Sequence, residues 1–233
     1  MRVIAVALVA FLLLSLGCVS AEAKFNVHDN RTFDFSFLMN FSKYIEDQRN
    51  NASFNAQQFL DEKTEELCNS FKSDLGVQPK CWHDEDTVYL SLQSLPLTNA
   101  TNVSIMKLND TVVYRIPSSF LFSAQGSDGQ TLKQKLQSSK LLIKMSGIEL
   151  HVLFVFDHDI KSTNVGRVID KRTVMIDLVN DDLNAMPETF EVITSVSGVS
   201  DQEFQQLKNK GGKKALPCLL SLVLLAPWVL KRR

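Results

Sequence analysis

Cysteine, histidine and glycine are all scarce in this chain: its 233 residues include 4 Cys, 4 His and 9 Gly. So few cysteines exclude a disulfide-framework scaffold, and so few histidines leave little material for general-base chemistry or a multi-histidine metal centre. There is no GxSxG elbow, no Gly-Lys-Ser/Thr phosphate loop, no HExxH and no paired-glycine dinucleotide fingerprint. The short signatures of serine hydrolases, nucleotide triphosphatases, zinc proteases and dinucleotide-binding enzymes are therefore missing, and no cofactor is implied. Charge of either sign is also lacking in excess, with 25 Lys and Arg against 26 Asp and Glu, a net charge of −1. Without a basic block, phosphate neutralisation has no footprint here and nucleic acid is not an expected partner.

What is present sits first at the two ends. Met1-Arg2 followed by the apolar run Val3 to Leu16 and the small residues Val19-Ser20-Ala21 and Ala21-Glu22-Ala23 has the three-part form of a secretory signal over residues 1–23. A bacterial lipoprotein signal ending at Cys18 is the rival, though Ser15 stands where a large aliphatic residue is usual. At the other end, Ala215 to Leu230 carries no charge and is followed by Lys231, Arg232 and Arg233. A terminal apolar run with no later chain to cover it belongs in a membrane or in a disposable attachment signal. A helix of that length reaches roughly 24 Å, short of a ~30 Å hydrocarbon core. A short transmembrane helix and a glycosylphosphatidylinositol (GPI) signal, with Gly211, Gly212 or Asn209 as the attachment point, both remain open. Either makes a membrane the partner of the 215–233 tail, with a polar stalk over 200–214.

Cys18 and Cys218 lie in the end segments, which leaves Cys68 and Cys81 as one possible disulfide. Asn-x-Ser/Thr triplets are more numerous than chance allows. They begin at Asn30, Asn40, Asn51, Asn99, Asn102 and Asn109. Ten Asn lie within residues 24–111 and six begin a triplet, whereas 22 Ser and 11 Thr in the whole chain would give one or two. None of the four later Asn does so. This pattern implies a glycan-bearing first half and an oxidising, secretory route.

The spacing of Phe33, Phe37, Phe41 and Tyr44 predicts a helix over about 35–48, although Phe33, Phe35 and Phe37 also alternate as a strand would. A second helix is predicted over about 52–75, making 24–82 a helical segment packed on the domain. From residue 87 the period becomes two: 87–95, 102–108, 111–116, 119–124, 141–145, 148–156, 165–169, 173–179 and 189–197 read as strands, with a brief helix over 130–139. The fold class expected is α+β: a mostly antiparallel, sandwich-like β domain of about eight or nine strands over 83–199 with one or two N-terminal helices. The apolar run His151 to Phe156 is its expected central strand.

Chemistry-bearing groups are few. Asp157, His158 and Asp159 follow that central strand, and a histidine between carboxylates can act as a base or metal ligand. The plainer reading is a solvated turn. His83-Asp84-Glu85-Asp86 is similar in character but lacks calcium-loop spacing. The reading favoured is a membrane-anchored glycoprotein on the outer face of the plasma membrane, acting by binding a protein or glycan ligand: adhesion, receptor contact or surface coat. A secretory-pathway hydrolase using Asp157, His158 and Asp159 with His83 or Asp181, and a lumenal endomembrane factor with a single span, are the alternatives.

Overall fold

The computed structural model describes residues 20–75, 78–97, 102–122 and 131–210. It opens with a strand that the expected segmentation omits. β1 (Ser20–Val27) turns Ala21, Ala23, Phe25 and Val27 inward, and β2 (Thr32–Asn40) does the same with Phe33, Phe35, Phe37 and Met39. The helix expected over 35–48 shrinks to α1 (Ser42–Asp47). Period two wins because only a strand puts those four side chains on one face together. The segment 24–82 is thus not simply helical; it supplies two strands to the middle of a sheet.

α2 (Ala56–Leu75) starts four residues later than predicted. Asn55 caps it, its carboxamide oxygen accepting from the Gln58 amide at 3.2 Å. Leu60, Leu67 and Phe71 form its buried stripe, and Phe71 stacks on Phe35 at 5.7 Å. β3 (Lys80–His83) follows, tied to the helix by the Cys68–Cys81 disulfide with Cα atoms 6.0 Å apart. β4 (Thr87–Pro96) and the hairpin β5 (Ser104–Leu108) and β6 (Thr111–Pro117) lie close to their predicted places. Asn109 takes a positive φ of 54° in the hairpin turn.

Two expectations fail in the next stretch. Residues 119–122 form a short helix, α3 (Ser119–Phe122), rather than a strand. The brief helix and the strand expected over 130–145 are one helix, α4 (Leu132–Met145), opened by a capping box between Thr131 and Gln134. Leu136 and Ile143, two turns apart, are its inward residues, and Leu141 and Leu142 point to solvent. The apolar run 141–143 resembles a strand only if all three residues are assumed to be buried.

β7 (Glu149–Phe156), β8 (Asp159–Thr163), β9 (Arg167–Asp170), β10 (Thr173–Asp177), β11 (Thr189–Ser195) and α5 (Asp201–Lys210) complete the chain. Gly166 (φ 63°) leads into β9, where a Cβ would come within 2.4 Å of the Met175 carbonyl oxygen, so only glycine fits. The expected stalk is in part folded onto the domain, with Phe204 packed on the core and Lys171 paired with Asp201 at 2.7 Å.

The strands form a seven-stranded sheet in the order β3-β4-β2-β1-β7-β10-β9 and a four-stranded sheet in the order β5-β6-β11-β8. β1 and β7 run parallel and the other described pairs are antiparallel. The fold is α+β, with eleven strands among the described residues in two mostly antiparallel sheets. The sheets face each other across an aromatic core: Phe25 meets Phe33, Phe35, Phe120 and Phe154 at 5.0 to 6.1 Å, and Tyr114–Phe156 and Phe154–Phe190 join the two layers. Burying each such ring contributes about 1.5–3 kcal/mol.

Two predictions follow from the disulfide and from β1. Replacing Cys68 and Cys81 together by alanine should lower unfolding free energy by about 3 kcal/mol in urea titration. An unchanged midpoint would mean that the loop is already confined without the bond. Cleavage after Ala21 or Ala23 would remove part of β1, including the buried residue Ala21 in either case. Peptide mapping of the mature protein should therefore place its first residue at or before Ser20.

Candidate functional site

The candidate residues gather where β1 and β7 end. These strands are parallel and in register through Val27 and Phe156, so the dipeptides His28-Asp29 and Asp157-His158 leave the sheet side by side. They pair crosswise. His28 Nδ1 meets Asp157 Oδ1 at 2.9 Å, His158 Nε2 meets Asp29 Oδ2 at 3.0 Å, and the Asp29 amide donates to Asp157 Oδ2 at 2.9 Å. His28 Nε2 reaches Asp34 Oδ2 at 3.3 Å, and Asp34 also accepts from the Ser94 amide at 2.8 Å. The four-stranded sheet closes the network, since the Tyr114 hydroxyl donates to Asp29 and Lys107 Nζ lies 3.0 Å from it.

The neighbourhood sets the protonation states. Partial burial disfavours a charged His28, but hydrogen bonds and attraction from Asp157 and Asp34 outweigh it and raise its pKa above the ordinary 6.5. Burial likewise pushes Asp29 up, but its bonds from Tyr114, Lys107 and His158 prevail and hold it below 3.8. Burial, then the Asp29 carboxylate, push the Tyr114 phenol far above its ordinary 10.

Asp157, His158 and Asp159 do not act as one group. Asp157 belongs to His28 and His158 to Asp29, while Asp159 turns away to Arg172 Nε at 3.3 Å and the Val199 amide at 3.2 Å. The histidine bonds go to carboxylates, and none reaches a hydroxyl or thiol that could serve as a nucleophile. His28 and Asp29, absent from the expected candidates, had one signal in the sequence: a second apolar strand ending in a His/Asp pair.

His83 cannot join this cluster. It shares a cross-sheet row with Val88, Met39, Ala21 and Leu150, six residues of β7 before Phe156 and four strands away. The separation is roughly 20 Å along the strands and ~19 Å across them. His83 instead bonds Asp61 at 2.8 Å and Gln57 at 3.2 Å. Asp181 accepts from the Asp177 amide at 2.9 Å, and Asp177 pairs with His151, near the Leu150 row. Among the described residues, no group of three or more His, Cys, Asp and Glu is arranged to hold a metal ion.

Three of the triplet asparagines share a geometry. Asn30, Asn40 and Asn51 each accept from the backbone amide and hydroxyl of the residue two further on, the hydroxyl bonds being 2.6, 2.6 and 2.7 Å long. These are Asx turns. Asn30, Asn51, Asn102 and Asn109 are exposed. Asn40 is half-buried, and its Nδ2, the atom a glycan would occupy, donates to Thr87 Oγ1 at 2.9 Å and Asp86 Oδ1 at 3.3 Å. Asn99, Gly211, Gly212 and the 215–233 tail lie outside the described residues, and Asn209 is in the last turn of α5. Among the described residues no helix is long and apolar enough to cross a membrane.

No family model matches the chain, and no curated protein matches it in sequence. Among solved structures it is similar to the NMR structure of the folded domain of Mycobacterium tuberculosis LppM. That similarity has 10% identity and a TM-score of 0.33, covering 80% of this chain and 94% of that one. A superposition this loose transfers neither residues nor function.

Linkage gives the network a pH signature. His28's contribution to stability is complete below its ordinary 6.5 and disappears as pH rises through its raised folded-state pKa. Asp29's is complete above 3.8 and disappears as pH falls through its lowered one. Both are complete between those two values. Thermal midpoints should therefore fall less steeply in His28→Gln than in the unaltered protein between about pH 6 and about pH 9. His83, raised by the Asp84 carbonyl and by Asp61, adds a decline of the same sign to both. Parallel curves would show that His28 gains no proton affinity on folding.

Proposed function

We propose that this chain is a membrane-anchored, N-glycosylated surface protein that acts by binding a protein or glycan rather than by catalysis. The observation that carries this reading is the run of exposed triplets in the first half of the chain, four of which present their asparagine to solvent. A disulfide between Cys68 and Cys81 accords with an oxidising compartment. The apolar runs at both ends accord with export and attachment, whether by a GPI anchor or a short span. On this reading the contact face is drawn from residues 112–198, which carry no triplet.

The hydrolase alternative loses its support, because each of its candidate side chains is committed to another partner. A second reading of the triplets has an observation of its own. Three of them close turns through the same hydroxyl-to-carboxamide bond, a role that needs no sugar.

Endoglycosidase treatment of the native protein, followed by peptide mapping, separates the two. Glycans are expected at Asn30, Asn51, Asn102 and Asn109, with Asn40 unmodified. A native protein free of sugar would leave only the turn-closing role. Phosphatidylinositol-specific phospholipase applied to intact cells should release the chain if it is GPI-anchored, and a retained span would leave it on the membrane.

A further inference from the structure

The face of the larger sheet that points away from the core carries a strip of side chains the core does not use. Across β3, β4, β2 and β1 one row on that face reads Lys80, Ser91, Ser36 and Lys24. The row beside it holds Trp82 and Tyr89 on β3 and β4 and Glu22 on β1. The alternate residues of the same strands face inward, where Phe71 of α2 stacks on Phe35.

Trp82, 41% exposed, stacks on Tyr89 with ring centroids 5.2 Å apart, and Lys80 Nζ lies 5.5 Å from the indole centroid. A cation is thus held beside a flat apolar surface. The side chains of Lys24, Ser36, Ser91 and Glu22 have no hydrogen-bond or ion-pair partner among the described residues. A sugar ring complements this set: its C–H face lies on an aromatic ring, its hydroxyls bond the serines and donate to Glu22, and an acid group meets a lysine. Two lysines against one glutamate select an anion. The lysines stand three strands apart, about 14 Å, so they reach successive units of a chain. Glu22 separates a sugar from an acidic peptide, whose carboxylates it would repel. Asn40, the triplet asparagine of β2, has its Nδ2 committed to Thr87 and Asp86, which keeps the protein's own sugar off this face.

We infer that this strip binds an acidic glycan, a chain of sugars bearing carboxylate or sulfate groups, with Trp82 as the stacking surface and Lys80 and Lys24 as the anion contacts. The site lies outside residues 112–198 and stands apart from the contact face proposed above.

The test titrates the native full-length chain in detergent, by calorimetry, with hyaluronan, heparin, neutral dextran and polyglutamate. Saturable binding of an acidic glycan is expected, weakening as salt rises, with none of dextran. Hyaluronan bound as tightly as heparin assigns the carboxylate, and heparin bound alone assigns the sulfate. Trp82→Ala should weaken binding about tenfold, and Lys80→Gln and Lys24→Gln about threefold each. Lys72→Gln, an exposed change on α2, should alter nothing. The lysine changes leave the thermal midpoint in place, so they decide the matter even where Trp82→Ala unsettles β3. No binding of either acidic glycan, binding that Lys80→Gln and Lys24→Gln leave intact, or an equal loss in Lys72→Gln overturns the inference. Dextran bound as tightly as hyaluronan overturns it too, and polyglutamate bound as tightly overturns it in favour of an acidic peptide.

Discussion

The parallel pairing of β1 with β7 is the constraint on which the rest of the molecule depends. It joins the N-terminal hairpin β1–β2 to the later strands β7, β10 and β9, and it does so eight residues deep with Phe25 beside Phe154. Parallel strands need long connections, and nearly the whole first half of the chain is threaded between these two. Because they end in the same row, their following turns abut, which sets two histidines against two aspartates. A one-residue slip would bring the outward residues of β1 to the core and separate those pairs at the same time.

That cluster is an electrostatic clasp between layers. The β1–β2 turn comes from the larger sheet and the β7–β8 turn leads from it into the smaller, which also supplies Tyr114 and Lys107. Tyr114 is fully buried at its ring and still donates its hydroxyl to Asp29, which spares a buried polar group the cost of lacking a partner. Within the clasp Asp157 bonds His28 and the Asp29 amide, and Asp29 bonds Tyr114, Lys107 and His158, so each carboxylate is held by several neighbours. Charged groups in a turn mark function only when something leaves them under-satisfied.

Much of the sheet was legible in the sequence. Strands with clean alternation, such as Thr87–Pro96 and Thr111–Pro117, and the Asn109-Asp110 turn announce themselves locally. The Cys68–Cys81 bridge followed from arithmetic once the end segments were set aside. Misreadings fell where two periods fit the same letters. Phe33, Phe35 and Phe37 satisfy a strand, while Phe33, Phe37 and Phe41 satisfy a helix, and only the partner strands β1 and β4 decide between them. Ser20–Ala23 was hidden because small residues that suit a processing enzyme also suit a tightly packed strand. The clasp was half visible: Asp157-His158 stood out, but its complement lies 128 residues earlier, and the register that unites them is a long-range property.

The boundaries of the larger sheet carry a further consequence. β3 is only four residues long, its cysteine is fastened to α2, and Lys80 and His83 lie at its two ends. An open strand of that kind is a poor template for backbone pairing with a neighbouring molecule. This margin, too short and too tightly stapled to extend, resists fusing edge to edge with another copy of the chain.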